Sequence, residues 1–444
     1  MKKRFLILAS LLLFSASLWA CDSTQTIKDH ISYIESSEKQ EIVSSSESVK
    51  ESSASNQTME QQKETPSETQ KETTTEHTSE EASQIISEES SETASETMQE
   101  TTAPTVSLEE IIDNMTLEEK VGQMFFVRCP ETDAVEDIET YHLGGILLFG
   151  RDFKDSSDRW LTLEQLQTTI QSYQDAANLP LFIGSDEEGG TVTRASRNPN
   201  LFANTLASPQ ALYAEGGMGG LLDTTLSYNR TLRWSLGINV NFAPVADVST
   251  NAEDFIYARS FGKDAQETAE YVQNVVETMQ EAGIASVLKH FPGYGNNVDT
   301  HTGIAIDERS YEVFEESDLL PFRAGIKAGA PFVLVSHNIV TCMDEQYPAS
   351  LSATVHELLR DGLGFEGVIV TDDLAMDAVK SYAEDGKVAV LAVLAGNDMI
   401  VTTDSKTQIP QVIEAVKDGT LQESEIEEHI MRILQAKQAL GLLE

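Results

Sequence analysis

The chain has 444 residues, and its 73 acidic side chains outnumber 30 basic ones to give a net charge of −43. So large a negative excess argues against nucleic acid or another polyanion as a partner. Composition changes so sharply near residue 105 that the two parts have to be read separately.

The first residues, "MKKR", are followed by the apolar stretch "FLILASLLLFSASLW" and then by Ala20 and Cys21, the pattern of an export signal over residues 1–20. The apolar run is shorter than the roughly 20 residues a helix needs to cross the hydrocarbon core, so it does not read as a permanent span. "LWAC" resembles the bacterial lipoprotein box, with Trp19 an unusual residue at its position; the resemblance implies that Cys21 carries lipid after cleavage. Membrane association is then expected through that anchor alone, and simple secretion if Cys21 is not lipidated. The other cysteines, Cys129 and Cys342, lie in apolar surroundings and read as buried free thiols.

Residues 21–104 are dominated by Ser, Thr, Glu and Gln, as in "SSETASETMQETTAPT", and cannot bury a core. As a flexible coil this segment reaches roughly 50 Å, which suits a tether. The remaining 105–444 are long enough for one large barrel or two smaller domains.

From residue 124 short apolar runs alternate with segments of helical period. Eight runs can be counted: "MFFVR" near 124, "GGILLF" near 144, "LFIGSD" near 181, "NVNFAPV" near 239, "ASVLKH" near 285, "FVLVSH" near 332, "GVIVTD" near 367 and "DMIVTTD" near 398. Helical patterns such as "LTLEQLQTTIQSYQDAAN" and "AQETAEYVQNVVETMQEAG" lie between them. Eight βα repeats predict an α/β fold, a single TIM-type (β/α)8 barrel preceded by the disordered tether. Several runs end in polar residues, namely Arg128, Arg151, Asp186, Lys289, His290, His337, Asp372 and Thr402, at the barrel face where βα loops build active sites. No Gly-x-Gly-x-x-Gly follows the first run and "FPGYG" lacks a Walker lysine, so a nucleotide-binding open sheet is disfavoured.

The stretch "KHFPGYGNNVDTHTG" follows the fifth run. Pro292 stops the strand, Gly293 and Gly295 permit a tight loop, and the loop presents Asp299 and His301. An i, i+2 pair in extended backbone points to one side, so a carboxylate can orient an imidazole for proton transfer. Alone, Asp-x-His also suits loop stabilisation or metal binding. Asp372 and Asp373 in "TDDLAMDAV" offer a nucleophilic carboxylate or a helix cap.

Taken together, "KHFPGYG…DTH", "DEEGGTVTR", "FAPVADV", "ARSFG" and "VIVTDDLAM" resemble glycoside hydrolase family 3, in its β-N-acetylglucosaminidase branch, over residues 108 to about 440. The resemblance implies Asp372 as catalytic nucleophile, His301 as acid/base with Asp299 as its partner, and Asp186, Arg259, Lys289 and His290 as sugar-binding residues. The implied activity is exo-acting, retaining hydrolysis of terminal β-linked N-acetylglucosamine from cell-wall-derived muropeptides or oligosaccharides. Arg194 is expected to support the "DEEGG" loop, and Asp247 to end the fourth run structurally. Tyr294 stands where many relatives carry histidine, which puts substrate preference in question. A β-glucosidase or phosphorylase of the same fold, or a non-catalytic sugar-binding lipoprotein, are the alternatives. No metal-ligand pattern or dinucleotide loop is present, so no metal or cofactor is expected. The oligomeric state is not encoded in any of these patterns.

Overall fold

A computed structural model describes residues 106–295, 297, 305–380, 382–383 and 386–443. The expected signal, Cys21, the tether, Asp299 and His301 lie outside the described residues.

All eight apolar runs form strands: β1 Phe125–Arg128, β2 Gly145–Leu148, β3 Phe182–Ser185, β4 Val240–Asn241, β5 Ala285–Phe291, β6 Phe332–Val335, β7 Val368–Thr371 and β8 Ile400–Thr402. They pair in parallel in chain order, and β8 returns to β1 with Phe125 opposite Ile400. The last seam, β7 to β8, is joined by a bridge between Val370 and Met399 and by the Met399 N–H donating to the Ile369 carbonyl at 3.0 Å. The result is the (β/α)8 barrel anticipated from the alternation of runs. A two-stranded parallel ribbon, Ile306–Asp307 with Ile339–Val340, stands apart from it.

Helices begin and end where local chemistry demands. The segment Leu163–Ala176 starts at a Thr162/Gln165 capping box, which satisfies two otherwise orphaned donors. Asp264 caps Ala265–Ala282 by accepting from the Glu267 N–H, and Gly283 ends that helix at φ 77°, a conformation glycine adopts without a Cβ clash. The helix buries Val272, Val275, Val276 and Met279, spaced to form one apolar stripe.

Aromatic rings fill the barrel. Phe182 on β3 meets Phe332 on β6 edge-on with centroids 5.2 Å apart, and Phe126 meets Phe242 at 5.3 Å. Gly184 makes room for them: a Cβ there would lie 2.7 Å from the Phe126 ring and 2.9 Å from Phe242. On the last helix, Glu423–Ala439, Lys437 is fully buried, with its ammonium 5.2 Å from the centre of the Phe182 ring and 2.6 Å from Gln123 Oε1. Neither contact supplies a full negative charge, and burial pushes its pKa down to about 7.

That depression has a definite sign in stability. The unfolded lysine binds its proton up to about pH 10.4, whereas the folded one releases it near 7, so between those values the unfolded chain holds more protons and stability rises with pH. Lys437→Met removes this dependence. Denaturant unfolding from pH 6 to 10 should show the wild type gaining on the variant as pH rises above about 7, with a constant difference below it. A difference independent of pH across this range would refute the assignment.

Candidate active site

A cleft of about 640 Å³ opens at the C-terminal ends of the strands. Most of its polar lining comes from the ends of strands and the loops just beyond, while Leu147, Leu334 and Val401 line it with apolar groups. Asp186 and Glu188 follow β3, Arg259 lies in the loop after β4, Lys289 and His290 end β5, and Asp372 follows β7; all six line the cleft. The sugar-binding candidates and the nucleophile candidate named from sequence therefore share one cavity.

One carboxylate organises the basic residues. Glu188 is buried; its Oε1 is 2.5 Å from Lys289 Nζ and 2.8 Å from Arg259 Nη2, and its Oε2 accepts from Arg259 Nε at 2.9 Å. Burial works to raise its pKa, but the charges of Lys289 and Arg259 outweigh it and hold Glu188 well below the ordinary carboxylate value. Lys289 also donates to Asp186 Oδ1 at 2.9 Å, and Arg194 reaches Asp186 Oδ2 at 3.4 Å.

His290 is fixed from two sides. Its Nδ1 lies 2.7 Å from Asp247 Oδ2 and its Nε2 lies 3.1 Å from Arg259 Nη2. A guanidinium only donates, so Nε2 accepts and Nδ1–H donates to Asp247. Asp247 also accepts from the backbone N–H groups of His290 at 3.1 Å and Tyr294 at 2.7 Å. The expectation that Asp247 is structural holds in a specific form: it sets the ring orientation of His290. Tyr294 is buried, packs edge-on to His290 at 5.7 Å and clusters with Val245 and Ile256.

The adjacent acids after β7 separate into two roles. Asp373 accepts from the Ala375 N–H at 2.8 Å and from the Thr403 hydroxyl at 2.6 Å, tying the β7 loop to the β8 loop. Asp372 is half-buried on the cleft wall; its Oδ1 accepts from the Asp373 N–H at 2.8 Å and its own N–H donates to Val335 at 3.1 Å. His337 is buried behind this turn, and its Nε2–H donates to the Asp373 carbonyl at 3.1 Å. Of the other strand-end residues, Arg151 pairs with Glu131 at 2.6 Å and Thr402 accepts from the Asp404 N–H at 2.9 Å, both away from the cleft lining.

Arg309 forms ion pairs with Asp307 at 2.7 Å and Asp318 at 2.9 Å, and Asn297 donates to Asp307 at 2.8 Å. Burial lifts the Asp318 pKa to about 6 against the pull of Arg309. Cys129 and Cys342 are free thiols; Cys129 is buried as expected, whereas Cys342 is only partly so. Among the described residues no group of His, Cys, Asp and Glu is arranged to hold a metal, and no helix is long and apolar enough to cross a membrane.

Sequence reasoning passed over Glu188, although "DEEGG" displays it, and gave no role to Phe149, which lines the cleft beside Arg128 and Arg194.

A closed parallel barrel with paired acids and bases around a cleft at its strand ends is the frame of a glycoside hydrolase, and comparison makes the class specific. The glycosyl hydrolase family 3 N-terminal domain matches residues 116–436. A β-hexosaminidase of Tolumonas auensis is 32% identical over 304 residues, covering 66% of this chain and 86% of that protein. The β-hexosaminidase LpqI of Mycobacterium tuberculosis is 31% identical over 332 residues, 72% of this chain and 82% of that one. The solved family 3 β-N-acetylglucosaminidase of Paenibacillus sp. str. FPU-7 superposes with a TM-score of 0.67 at 31% identity; the match covers 74% of this chain and 63% of that one. The chain belongs to glycosyl hydrolase family 3.

Glu188→Gln tests how far the basic array depends on its carboxylate. Leaving two buried cations short of a counter-charge should cost about 3–5 kcal/mol of stability, and the misplaced basic groups of the cleft should lower kcat/KM by about 100-fold. Because the folded pKa of Glu188 is depressed, the stability loss should be complete above about pH 4.3 and shrink as pH falls below it. Unfolding curves at pH 7 and pH 3 measure this.

Proposed function

We propose that the protein is an exo-acting, retaining β-N-acetylglucosaminidase that removes terminal β-linked N-acetylglucosamine from cell-wall-derived muropeptides or related oligosaccharides. The observation that carries this reading is a carboxylate, Asp372, on the wall of a cleft that also holds the Asp186, Arg259, Lys289 and His290 array. Such an array suits a sugar: fixed donors and acceptors match a set of hydroxyls, and the cost of ordering them is met during folding rather than on binding. The β-hexosaminidase and β-N-acetylglucosaminidase relatives supply the choice of sugar.

In the proposed mechanism Asp372 attacks the anomeric carbon while His301 protonates the departing glycosidic oxygen. A covalent glycosyl-enzyme forms and the aglycone leaves. Water then gives its proton to His301 as its oxygen attacks the same carbon, releasing Asp372 and restoring the original anomeric configuration. A neutral imidazole brings less repulsion beside the acetamido group than a second carboxylate.

Trapping with a 2-acetamido-5-fluoro glycoside followed by peptide mass spectrometry should place the label on Asp372; a label on another residue would overturn the mechanism. His301→Ala should lower hydrolysis by about 100-fold or more and flatten its dependence on pH near neutrality. Activity retained in the variant with an unaltered pH profile contradicts the acid/base role. Omitting or adding phosphate with a nitrophenyl N-acetylglucosaminide separates hydrolysis from phosphorolysis.

The export signal and the cysteine that follows it support an extracytoplasmic protein held to the membrane by lipid, with residues 21–104 as its tether. Metabolic labelling with a fatty acid should mark the wild type, and Cys21→Ala should abolish the label and shift the protein from the membrane fraction to the medium. Unlabelled, freely secreted wild type defeats the anchor.

A further inference from the structure

The cations that face the cleft are not equally compensated. Lys289 and Arg259 are paired with Glu188, and Arg194 approaches Asp186. Arg128, the last residue of β1, also lines the cleft, yet its side chain makes neither a hydrogen bond nor an ion pair among the described residues. Its Nε is closed off from solvent with no partner. The guanidinium instead lies over the Phe149 ring, 4.2 Å from its centre, and Arg194 approaches the same ring at 5.2 Å.

This arrangement is poor as architecture and good as a receptor. A partly desolvated cation without a counter-charge is unfavourable, and contact with an aromatic ring returns only part of that cost. Phe149 already has a second cation, from Arg194, so Arg128 is not needed to hold the ring. Stacking does supply orientation: with its flat face covered, a guanidinium keeps its in-plane N–H donors for planar acceptors such as carboxylate, sulfate or phosphate. The acidic chain as a whole does not attract anions from a distance, so selection of one has to occur at contact range.

We propose that Arg128, held by Phe149, is a specificity-determining residue that binds a negatively charged group on the substrate. The inference rests on reading this cleft as the site of glycoside hydrolysis. The charge could be carried by the released hexosamine or by the aglycone, and the two sources are separated by matched pairs of substrates.

The first pair is an aryl N-acetyl-β-glucosaminide with and without a 6-sulfate. The second is a disaccharide with a carboxylate on its aglycone and the corresponding methyl ester. For the wild-type full-length protein, the charged member of at least one pair should be preferred in kcat/KM by about tenfold. Arg128→Gln should erase that preference, Arg128→Lys should restore part of it, and added salt should weaken it. The pair that responds identifies where the charge sits. A charged-to-neutral ratio that Arg128→Gln leaves unchanged in both pairs, or a wild type that prefers both neutral members, overturns the inference. Equilibrium binding of the same pairs to Asp372→Asn protein reads the ratio without turnover. If charged ligands bind through Arg128 but no substrate is hydrolysed by the wild type, anion binding at Arg128 stands, while the glycosidase reading fails and takes the role in substrate specificity with it.

Discussion

The cleft depends on one buried carboxylate. Glu188 stands just past β3, and it draws in Lys289 from β5 and Arg259 from the loop after β4. Three charges removed from water are tolerable only when their geometry is nearly saturated, and here the glutamate receives Arg259 in a two-point contact while Lys289 bridges it to Asp186. The basic groups are thereby held in place by the fold before any sugar arrives, and Arg259 in turn fixes His290 against Asp247. Polar residues from three strands and the loops after them become one rigid surface through a chain of charge-assisted bonds.

The same economy explains why runs of consecutive acids do not act alike. In "DEEGG", Asp186 lines the cleft and Glu188 anchors it, whereas Glu187 turns away and accepts from the Arg194 N–H at 2.5 Å and the Ser196 hydroxyl at 2.8 Å. Burial raises the Glu187 pKa, and those bonds oppose the rise. In "TDD" the second acid is spent on Thr403 and Ala375, which leaves the first to face the cleft. Neighbours in sequence point in different directions at the end of a strand, so one of them can be structural at little cost to the other.

This is also where legibility in the sequence stops. Strands buried on both faces appear as continuous apolar runs, and all eight were readable, as were the helices with a cap and a clean stripe. Pro209–Arg230 was not, because four glycines interrupt it and its backbone leaves helical geometry at Gly217; packing sustains it where propensity does not. The ribbon of Ile306–Asp307 and Ile339–Val340 is two residues wide on each side, too short to leave an alternating signature. In the site, Asp186, Lys289, His290 and Asp372 announced themselves as strand ends. Glu188 did not, since among many acids nothing in sequence marks which one will be buried against a cation, and Asp247 was legible as the end of the fourth run but not as the partner of His290. The Asp-x-His motif was legible as chemistry, but Asp299 and His301 fall outside the described residues.

Strand ends and loops serve the two halves of the proposed reaction differently. An attacking carboxylate gains most from narrow positional tolerance, and Asp372 has it: its N–H is hydrogen-bonded to β6, its side chain to the next residue, and that next residue to the β8 loop. The proton donor has to meet a leaving group whose identity varies with the aglycone, and the described residues on either side of it are Asn297 and Ala305. The described residues on both sides are held by one ion-pair network. Gly293 and Gly295 pass so close to Asp318 and Arg309 that a Cβ would lie 2.6 Å and 2.4 Å from them, and Arg309 links Asp318 to Asp307. The glycines of "FPGYG", just past the strand β5 that presents Lys289 and His290 to the cleft, are thus explained by close approach to an ion-pair network as much as by the turn itself.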